Sequence, residues 1–292
     1  MGKLVSIIIL NWNGMDFTRK CLESIGRNTF YSPYEIIVVD NGSSDGSVEF
    51  LRQKRKEGKI KLIENSSNMG FAGGNNQGID ASKGSYIFLL NNDTTVNGHW
   101  LASLVRVMDA YEKAGIVGCR LVYPNGKLQH AGAKIDDAGI ARNLPEGGER
   151  EVEYVTGAAL MIKREVIDKI GKLDEGFNPI YFEEVDWCYR AWRAGFSVIY
   201  TPDTTIVHHE GEATQKKQTK AWNYFVMNKN RIRFMLLNFS GDRLISALPY
   251  EILRVLKSIV LLRIQHLLKA YWINFKNRKE IREKRGKRLK NG

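Results

Sequence analysis

Three carboxylates in four residues, Glu183-Glu184-Val185-Asp186, stand between the aromatic pair Tyr181-Phe182 and Trp187. Acids in the first turn of a helix gain from its dipole, which gives the cluster a purely structural reading. Mutual repulsion in aromatic surroundings also raises a carboxylate pKa, and that suits a general base. Asp40 closes the apolar run Ile36-Ile37-Val38-Val39 and opens the small-residue turn Asn41-Gly42-Ser43-Ser44-Asp45-Gly46. Its carboxylate can accept hydrogen bonds from a nucleobase or ribose, or make an Asx-turn into a helix capped at Asp45 or Ser47. Asn91-Asn92-Asp93 follows Tyr86-Ile87-Phe88-Leu89-Leu90 and offers one carboxylate to Mg²⁺ or Mn²⁺. A single carboxylate is a poor metal site, so a second ligand is required. His208 supplies an imidazole suited to Mn²⁺ if its strand ends beside Asp93, with adjacent His209 as the rival. Gly70-Phe71-Ala72-Gly73-Gly74 allows close approach to backbone but lacks the Lys-Ser/Thr of a P-loop and the spacing of a dinucleotide fingerprint. Asn75 and Asn76 are read as opening the helix that follows.

These residues need a scaffold that brings them together, and the hydrophobic pattern supplies one. Leu4–Leu10, Glu35–Asp40, Ile60–Glu64 and Ser85–Leu90 are almost continuously apolar, as strands covered on both faces must be. Helical patterns over Met15–Asn28, Ser47–Lys56, Gly74–Ser82 and Asn97–Lys113 alternate with them. The rhythm predicts an α/β fold, a mostly parallel central sheet flanked by helices, with ligands bound beyond the carboxyl ends of the strands. The polar ends Asn11-Trp12-Asn13-Gly14, Asp40–Gly46, Asn68–Asn76 and Asn91–Thr94 would then share one rim. A hairpin at Tyr123-Pro124-Asn125-Gly126, a buried strand over Val155–Ile162, a helix over Glu183–Ala194, and strands at Ser197–Tyr200 and Thr204–His208 complete the pattern.

The charge is unevenly spread. The chain of 292 residues carries a net +12, yet residues 1–210 hold 24 Lys/Arg against 27 Asp/Glu, and residues 211–292 hold 20 against 5. Cys21, Cys119 and Cys188 lie far apart, with no CxxC, as reduced thiols of a cytoplasmic protein would. No secretory signal and no apolar stretch of spanning length is expected.

Taken in order, the motifs resemble glycosyltransferase family 2, the inverting nucleotide-sugar transferases with the GT-A fold, and within it the rhamnosyltransferase-like members. The matching stretches are Val5–Asn13, Val38–Ser47, Asn68–Asn76, Leu89–Thr94, Thr156–Met161, Tyr181–Gly195 and Val207–Gly211. The resemblance implies a GT-A catalytic domain over 1–212 and a C-terminal helical, basic extension over 213–292. It implies that Glu184 is the catalytic base, with Glu183 as rival, and that Asp93, at the last position of the family's DxD motif, binds Mg²⁺ or Mn²⁺ with His208. Asn91 departs from the Asp many members have there, which leaves metal dependence, and an inactive nucleotide-sugar-binding paralogue, open. Donor contacts are expected from Asn11, Asn13, Asp40, Asn41, Gly70, Phe71, Asn75, Asn92 and Asp93. Gly157, Glu183, Asp186 and Trp187 are expected on the acceptor side. The partners implied are a nucleotide-diphosphate sugar, with dTDP-rhamnose one candidate among UDP- and GDP-sugars, and a glycan or lipid-linked acceptor.

A helix over Trp222–Leu237 is expected to pack on the catalytic domain. Beyond Pro249 a second helix gathers Glu251, Arg254, Lys257, Ser258, Gln265 and Lys269 on one side, with Leu248, Ile252, Leu256, Ile259, Val260, Leu267 and Tyr271 largely away from it. Residues 273–292 add 9 Lys/Arg against 2 Glu. An amphipathic helix with a polybasic tail predicts peripheral association of 243–292 with an anionic membrane surface, at the inner face of the cell membrane. The competing reading is a docked helix followed by a solvated tail. Nucleic-acid binding is not expected, because the body is net acidic and the positive charge lies on one amphipathic segment. A nucleotidyltransferase would show a basic Gly-rich loop after the first strand, which Asn11-Trp12-Asn13-Gly14-Met15 is not.

Overall fold

A computed structural model describes residues 2–209 and 219–290. The predicted boundary at 212/213 and the Glu210-Gly211 end of the last motif lie outside the described residues. The first half alternates as the apolar pattern requires: β1 (Val5–Asn11), α1 (Met15–Asn28), β2 (Tyr34–Asp40), α2 (Ser47–Lys56), β3 (Lys61–Glu64), α3 (Gly70–Ala81), β4 (Tyr86–Asn91), β5 (Thr94–Val96) and α4 (Trp100–Ala110). There follow β6 (Ala114–Val122), β7 (Leu128–His130), β8 (Ala133–Ile135), β9 (Ala141–Asn143), β10 (Arg150–Val152), β11 (Ala159–Lys163), α5 (Arg164–Ile170), a 3₁₀ turn (Glu175–Phe177), α6 (Glu183–Arg193) and β12 (Ser197–His208). The C-terminal helices are α7 (Lys220–Asn238), α8 (Gly241–Val260), α9 (Ile264–Lys276) and α10 (Arg278–Lys290).

The sheet runs β10-β12-β6-β11-β4-β1-β2-β3, and within it β1, β2, β3 and β4 are parallel neighbours while β11 enters antiparallel between β4 and β6. Along β1, Val5, Ile7 and Ile9 join a core with α1 and α4, while Ile8 joins a core with α3, α5 and α6 on the other face. A strand buried on both sides is apolar nearly throughout, and β1 departs from that only at Ser6, whose hydroxyl donates to Glu35, and at its end, Asn11. The helix connection reverses direction between β1 and β4, so a crevice opens beyond their carboxyl ends, between Asn11 and Asn91.

Three expectations are corrected. Helix α3 begins at Gly70 instead of Gly74. Gly74 and Gly78 lie against the sheet, where a Cβ would sit 2.3 Å from Leu10 Cδ1 and 2.4 Å from Ile8 Cγ2. The glycines are therefore a packing face, and Asn68 Oδ1 accepts from the Gly70 N–H at 2.8 Å to start the helix. Pro249 lies inside α8, which starts eight residues earlier where Ser240 Oγ accepts from the Arg243 N–H at 3.2 Å. Its missing hydrogen bond falls on the exposed side of the helix. The single amphipathic helix drawn through Tyr271 is instead two, broken where Leu262 takes φ +53°.

The basic tail is also not free. Lys284 Nζ binds Asp174 Oδ1 at 2.6 Å, Arg288 binds Asp186 Oδ1 at 2.5 Å and Asp174 Oδ2 at 2.9 Å, and Arg285 donates to the Leu236 carbonyl at 2.7 Å. Helix α10 thus packs onto the α/β body. Among the described residues no helix is long and apolar enough to cross a membrane.

Candidate functional site

The register of β1 on β2 places Asn11 beside Asp40. Asn11 Nδ2 donates to Asp40 Oδ2 at 2.7 Å, and Asn11 Oδ1 accepts from Thr18 Oγ1 at 2.7 Å and Asn92 Nδ2 at 3.1 Å. The Ser43 N–H donates to Asp40 Oδ1 at 2.9 Å. Both Asp40 oxygens are thereby engaged, and the residue is buried. Asn13, held at φ +51°, accepts from the Ser44 N–H at 2.7 Å. Asn41 ties the next loop, donating to Asn68 Oδ1 and the Gly70 carbonyl at 3.1 Å each. A recess of about 150 Å³ lies against this network, lined by Trp12, Asn41, Gly70, Phe71, Asn92 and Asp93 among others. Asn11 and Asp40 brace its floor from beneath.

His208 pairs with Thr94 across β12 and β5, which brings its ring to the Asp93 carboxylate. His208 Nε2 lies 3.1 Å from Asp93 Oδ1, a buried oxygen with no hydrogen-bond partner. On its other side, His208 Nδ1 sits 2.9 Å from Gln129 Oε1. A ring that donates through Nδ1 leaves the Nε2 lone pair beside Asp93 Oδ1 and 3.4 Å from Asn91 Nδ2, where a cation can take the place of the amide donor. The pair therefore fits a divalent ion, with its other positions left to donor phosphate oxygens and water. Among the described residues no third His, Cys, Asp or Glu joins them.

Glu184 opens α6 under unusual backbone control. Tyr181 and Phe182, immediately before the helix, both adopt positive φ, +79° and +76°. Non-glycine residues there each cost about 1–3 kcal/mol and persist only when their surroundings hold them. The holder is Asn230 of α7, fully buried, whose Nδ2 reaches the carbonyls of Phe177, Ile180 and Tyr181 at 2.5, 2.9 and 2.8 Å.

The strained turn aims Glu184 into a second recess of about 760 Å³, which His208 also lines. Tyr154 Oη donates to Glu184 Oε1 at 3.2 Å, and the Gly157 N–H donates to the same carboxylate. Burial pushes the Glu184 carboxyl up from the ordinary range. Burial pushes Glu183 up further, with the neighbouring Glu184 charge adding to it, and Glu183 Oε2 is buried without a partner. Of the two, burial weighs more heavily against the Glu183 charge, and Glu184 has the Tyr154 and Gly157 hydrogen bonds that favour a carboxylate. A Cβ on Gly157 would lie 3.2 Å from Phe71 Cζ and 3.3 Å from Glu184 Cγ, so this glycine leaves room for the base.

The geometry thus joins Asp93, His208, Glu184, Asn41, Asn92, Gly70 and Phe71 around two adjoining recesses that meet at the Asp93–His208 pair, with Gly157 packed behind Phe71 and Glu184. Of the expected site residues, Asn11, Asn13, Asp40, Asn75, Glu183, Asp186 and Trp187 do not line either recess. Asp186 is buried against Arg190, Arg288 and Asn238, and Trp187 lies in the core behind α6, donating to the Gly171 carbonyl at 2.9 Å. At about 100° per residue Glu183 lies one step and Asp186 two steps round the helix from Glu184, so only one acid of the cluster faces the cleft. Asn75 is turned down the helix onto the Phe71 carbonyl at 2.9 Å. Tyr154, Gln129 and Asn230 are site residues that the sequence reading missed. Tyr154 and Gln129 sit in the weakly patterned stretch between Val117 and Val155, and only the polar run Asn228–Arg231 inside an otherwise apolar helix carried a signal for Asn230.

Comparison with known proteins bears on the family and the fold. The family model described as Glycosyl transferase family 2 matches residues 6–171. Uncharacterized protein y4gI of Sinorhizobium fredii is 32% identical over 232 residues, which is 74% of this chain but 25% of that protein. The chain therefore spans about a quarter of that relative's length. The low-salt glycan biosynthesis hexosyltransferase Agl10 of Haloferax volcanii is 26% identical over 265 residues, covering 87% of this chain and 82% of Agl10. Among solved structures, GalNAc-T7 with UDP, GalNAc and Mn²⁺ superposes with a TM-score of 0.68 at 18% identity, covering 82% of this chain and 48% of that one. At that identity the likeness speaks for the fold, which is GT-A.

Proposed function

The chain belongs to glycosyl transferase family 2, and from that premise we propose that it transfers a hexose from a nucleotide-diphosphate donor to a hydroxyl of a glycan or lipid-linked acceptor, in one step with inversion. The observation that carries the reading is the Glu184 side chain, aimed into a cavity that shares His208 with the Asp93 carboxylate. In this reading the nucleotide lies over the Asn41, Gly70 and Phe71 side of the smaller recess. Asp93 and His208 would hold Mg²⁺ or Mn²⁺, whose charge offsets that of the departing diphosphate. Glu184 removes the acceptor proton as the acceptor oxygen bonds to the anomeric carbon, while the bond from that carbon to the diphosphate oxygen breaks on the opposite face. Tyr154 and the Gly157 N–H keep the carboxylate ionised and pointed.

The test is Glu184→Gln, assayed first with dTDP-rhamnose and then with UDP- and GDP-sugars. Turnover is expected to fall by about 10²- to 10⁴-fold, the usual worth of a general base. The thermal shift given by the nucleotide diphosphate with Mn²⁺ is expected to stay, and Asp93→Ala is expected to lose the Mn²⁺-dependent part of it. Undiminished turnover in Glu184→Gln would remove the base assignment, and with it the proposed mechanism.

A peripheral seat on an anionic membrane surface is part of the same proposal. Ile245, Leu248, Ile252, Leu256 and Ile259 form one stripe along α8 and all are exposed, followed by Leu262 at 86% exposure. Lys257 of α8, and Lys269, Lys276, Arg278 and Lys279 beyond it, are exposed as well. An unburied apolar stripe bordered by cations is the pattern of an interfacial helix.

A further inference from the structure

The larger recess does not end at the catalytic residues. Its inner end carries Glu184 and His208, and its far wall is built by the C-terminal helices, which contribute Lys220, Arg231, Arg254 and Arg263. Among the described residues that wall is short of negative charge. Glu251 Oε1 lies 2.6 Å from Arg231 and only 3.8 Å from Arg254, so one carboxylate serves two guanidiniums and reaches the second outside hydrogen-bond range. Arg254 Nε is buried without a partner. Burial, and the like charge of Arg231 beside it, both weigh against the Arg254 cation. Arg263 has no carboxylate within ion-pair range among the described residues, and its guanidinium lies 5.5 Å over the Tyr224 ring. A partly buried cation without a counter-charge is costly in the free protein, and an anion entering the cavity would offset that cost.

Two further features say what kind of anion. Asn223 Oδ1 and Asn228 Oδ1 on the same cavity wall are buried acceptors without partners, a demand that sugar hydroxyls would meet. Arg263 directly follows Leu261 and Leu262, at the end of the exposed apolar stripe. Acid–base residue, hydroxyl acceptors, cations and apolar surface thus belong to one wall, with the cations next to the apolar end. We propose that Arg254 and Arg263, with Lys220, bind the phosphate or diphosphate of an amphiphilic glycosyl phosphate, the acceptor sugar lying between them and Glu184. This rests on the transferase reading and narrows its acceptor class to a sugar bearing an anomeric phosphate on a hydrocarbon chain.

Binding can be tested without transfer, on the full chain in EDTA, by calorimetric titration with farnesyl diphosphate, farnesol and inorganic pyrophosphate. Farnesyl diphosphate is expected to bind most tightly, and Arg254→Gln/Arg263→Gln to weaken it at least tenfold while leaving the Mn²⁺-dependent nucleotide diphosphate shift unchanged. Arg263→Gln alone, at the break between α8 and α9 and without an ion pair among the described residues, is expected to give part of that loss in a folded protein. Equal affinity for inorganic pyrophosphate and farnesyl diphosphate would overturn the proposal in favour of a simple anion site. Competition by the nucleotide diphosphate would place the phosphate in the donor recess and overturn it too. So would a double variant that keeps farnesyl diphosphate but loses phosphatidylglycerol vesicles, since the cations would then read a membrane headgroup. Because no turnover is measured, retained activity in Glu184→Gln would refute the mechanism and leave this binding result standing on its own.

Discussion

Asn230→Ala is the substitution that asks most of the structure. Asn230 lies on α7, outside the family-matched segment, yet its Nδ2 faces three carbonyls of the turn that launches Glu184. An amide nitrogen has two hydrogens, so the three short distances amount to two or three hydrogen bonds, each worth about 1 kcal/mol when the partner stays buried. Removal is expected to cost about 3 kcal/mol, and at about 2 °C per kcal/mol for a chain of this size the midpoint falls about 6 °C. The functional loss should exceed the stability loss. Tyr181 and Phe182 each hold about 1–3 kcal/mol of backbone strain, and once the clamp is gone that strain relaxes by moving the start of α6. Turnover is expected to drop at least tenfold at a temperature where differential scanning fluorimetry shows the variant fully folded, while nucleotide diphosphate binding at the β1–β4 crevice is unchanged. A variant that loses the 6 °C but keeps wild-type turnover would show that the turn is not held for the base. One that loses neither would show that the Asn230 bonds do not hold the turn at all.

Glu183→Gln separates the two glutamates through pH. Burial raises the Glu183 carboxyl in the folded state, so folding favours its protonated form; that contribution is full below the solution pKa of about 4.3 and is lost as pH climbs toward the raised folded value. The variant lacks this slope, so its midpoint is expected to gain on wild type more at pH 8 than at pH 5, with turnover retained; an equal difference at both pH values would deny Glu183 its buried proton. For the membrane seat, Ile252→Glu/Leu256→Glu places charge on the exposed stripe of α8 without touching the packed side. Pelleting with phosphatidylglycerol vesicles is expected to be lost and the thermal midpoint kept, and undiminished pelleting would discard the surface.

Much of the catalytic body was legible because buried parallel strands must be apolar end to end. Where β1, β2 and β4 stop being apolar, at Asn11, Asp40 and Asn91, the sequence itself marks the rim, and the structure joins those ends through Asn11 and Asn92. Choices between neighbours were not legible. His208 and His209 differ by one residue, and in a strand that is the difference between two faces; the register with Thr94 turns His208 to Asp93, while His209 faces the Phe17 ring. Glu183, Glu184 and Asp186 are all acids, so periodicity has no apolar reference from which to set their phase on α6. The phase comes from Asn230 and the turn, across some fifty positions. Glycine misled in the opposite direction: Gly70 is a turn residue at φ +76° against Asn178, whereas Gly74 and Gly78 are a packing face against Leu10 and Ile8, and Gly70–Gly74 taken alone reads as one loop.

The C-terminal quarter shows a more general gap between pattern and placement. A helical wheel separates the Leu248–Ile259 side of α8 from the Glu251–Arg254 side, but nothing in the wheel says which side faces the protein. In most surface helices the apolar side does, because burial of apolar area is the larger gain. Here α7 and α9 instead present Arg231 and Tyr271, and Glu251 meets both, at 2.6 and 2.5 Å, so the polar side is drawn inward and the apolar side is left out. The same partners that invert α8 also leave Arg254 with a shared carboxylate at the cavity wall. The exposed stripe and the under-neutralised cations are therefore one consequence of Glu251. Replacing Glu251 by Leu would be expected to disturb both together, whereas changes to the stripe alone should leave the cavity charge as it is.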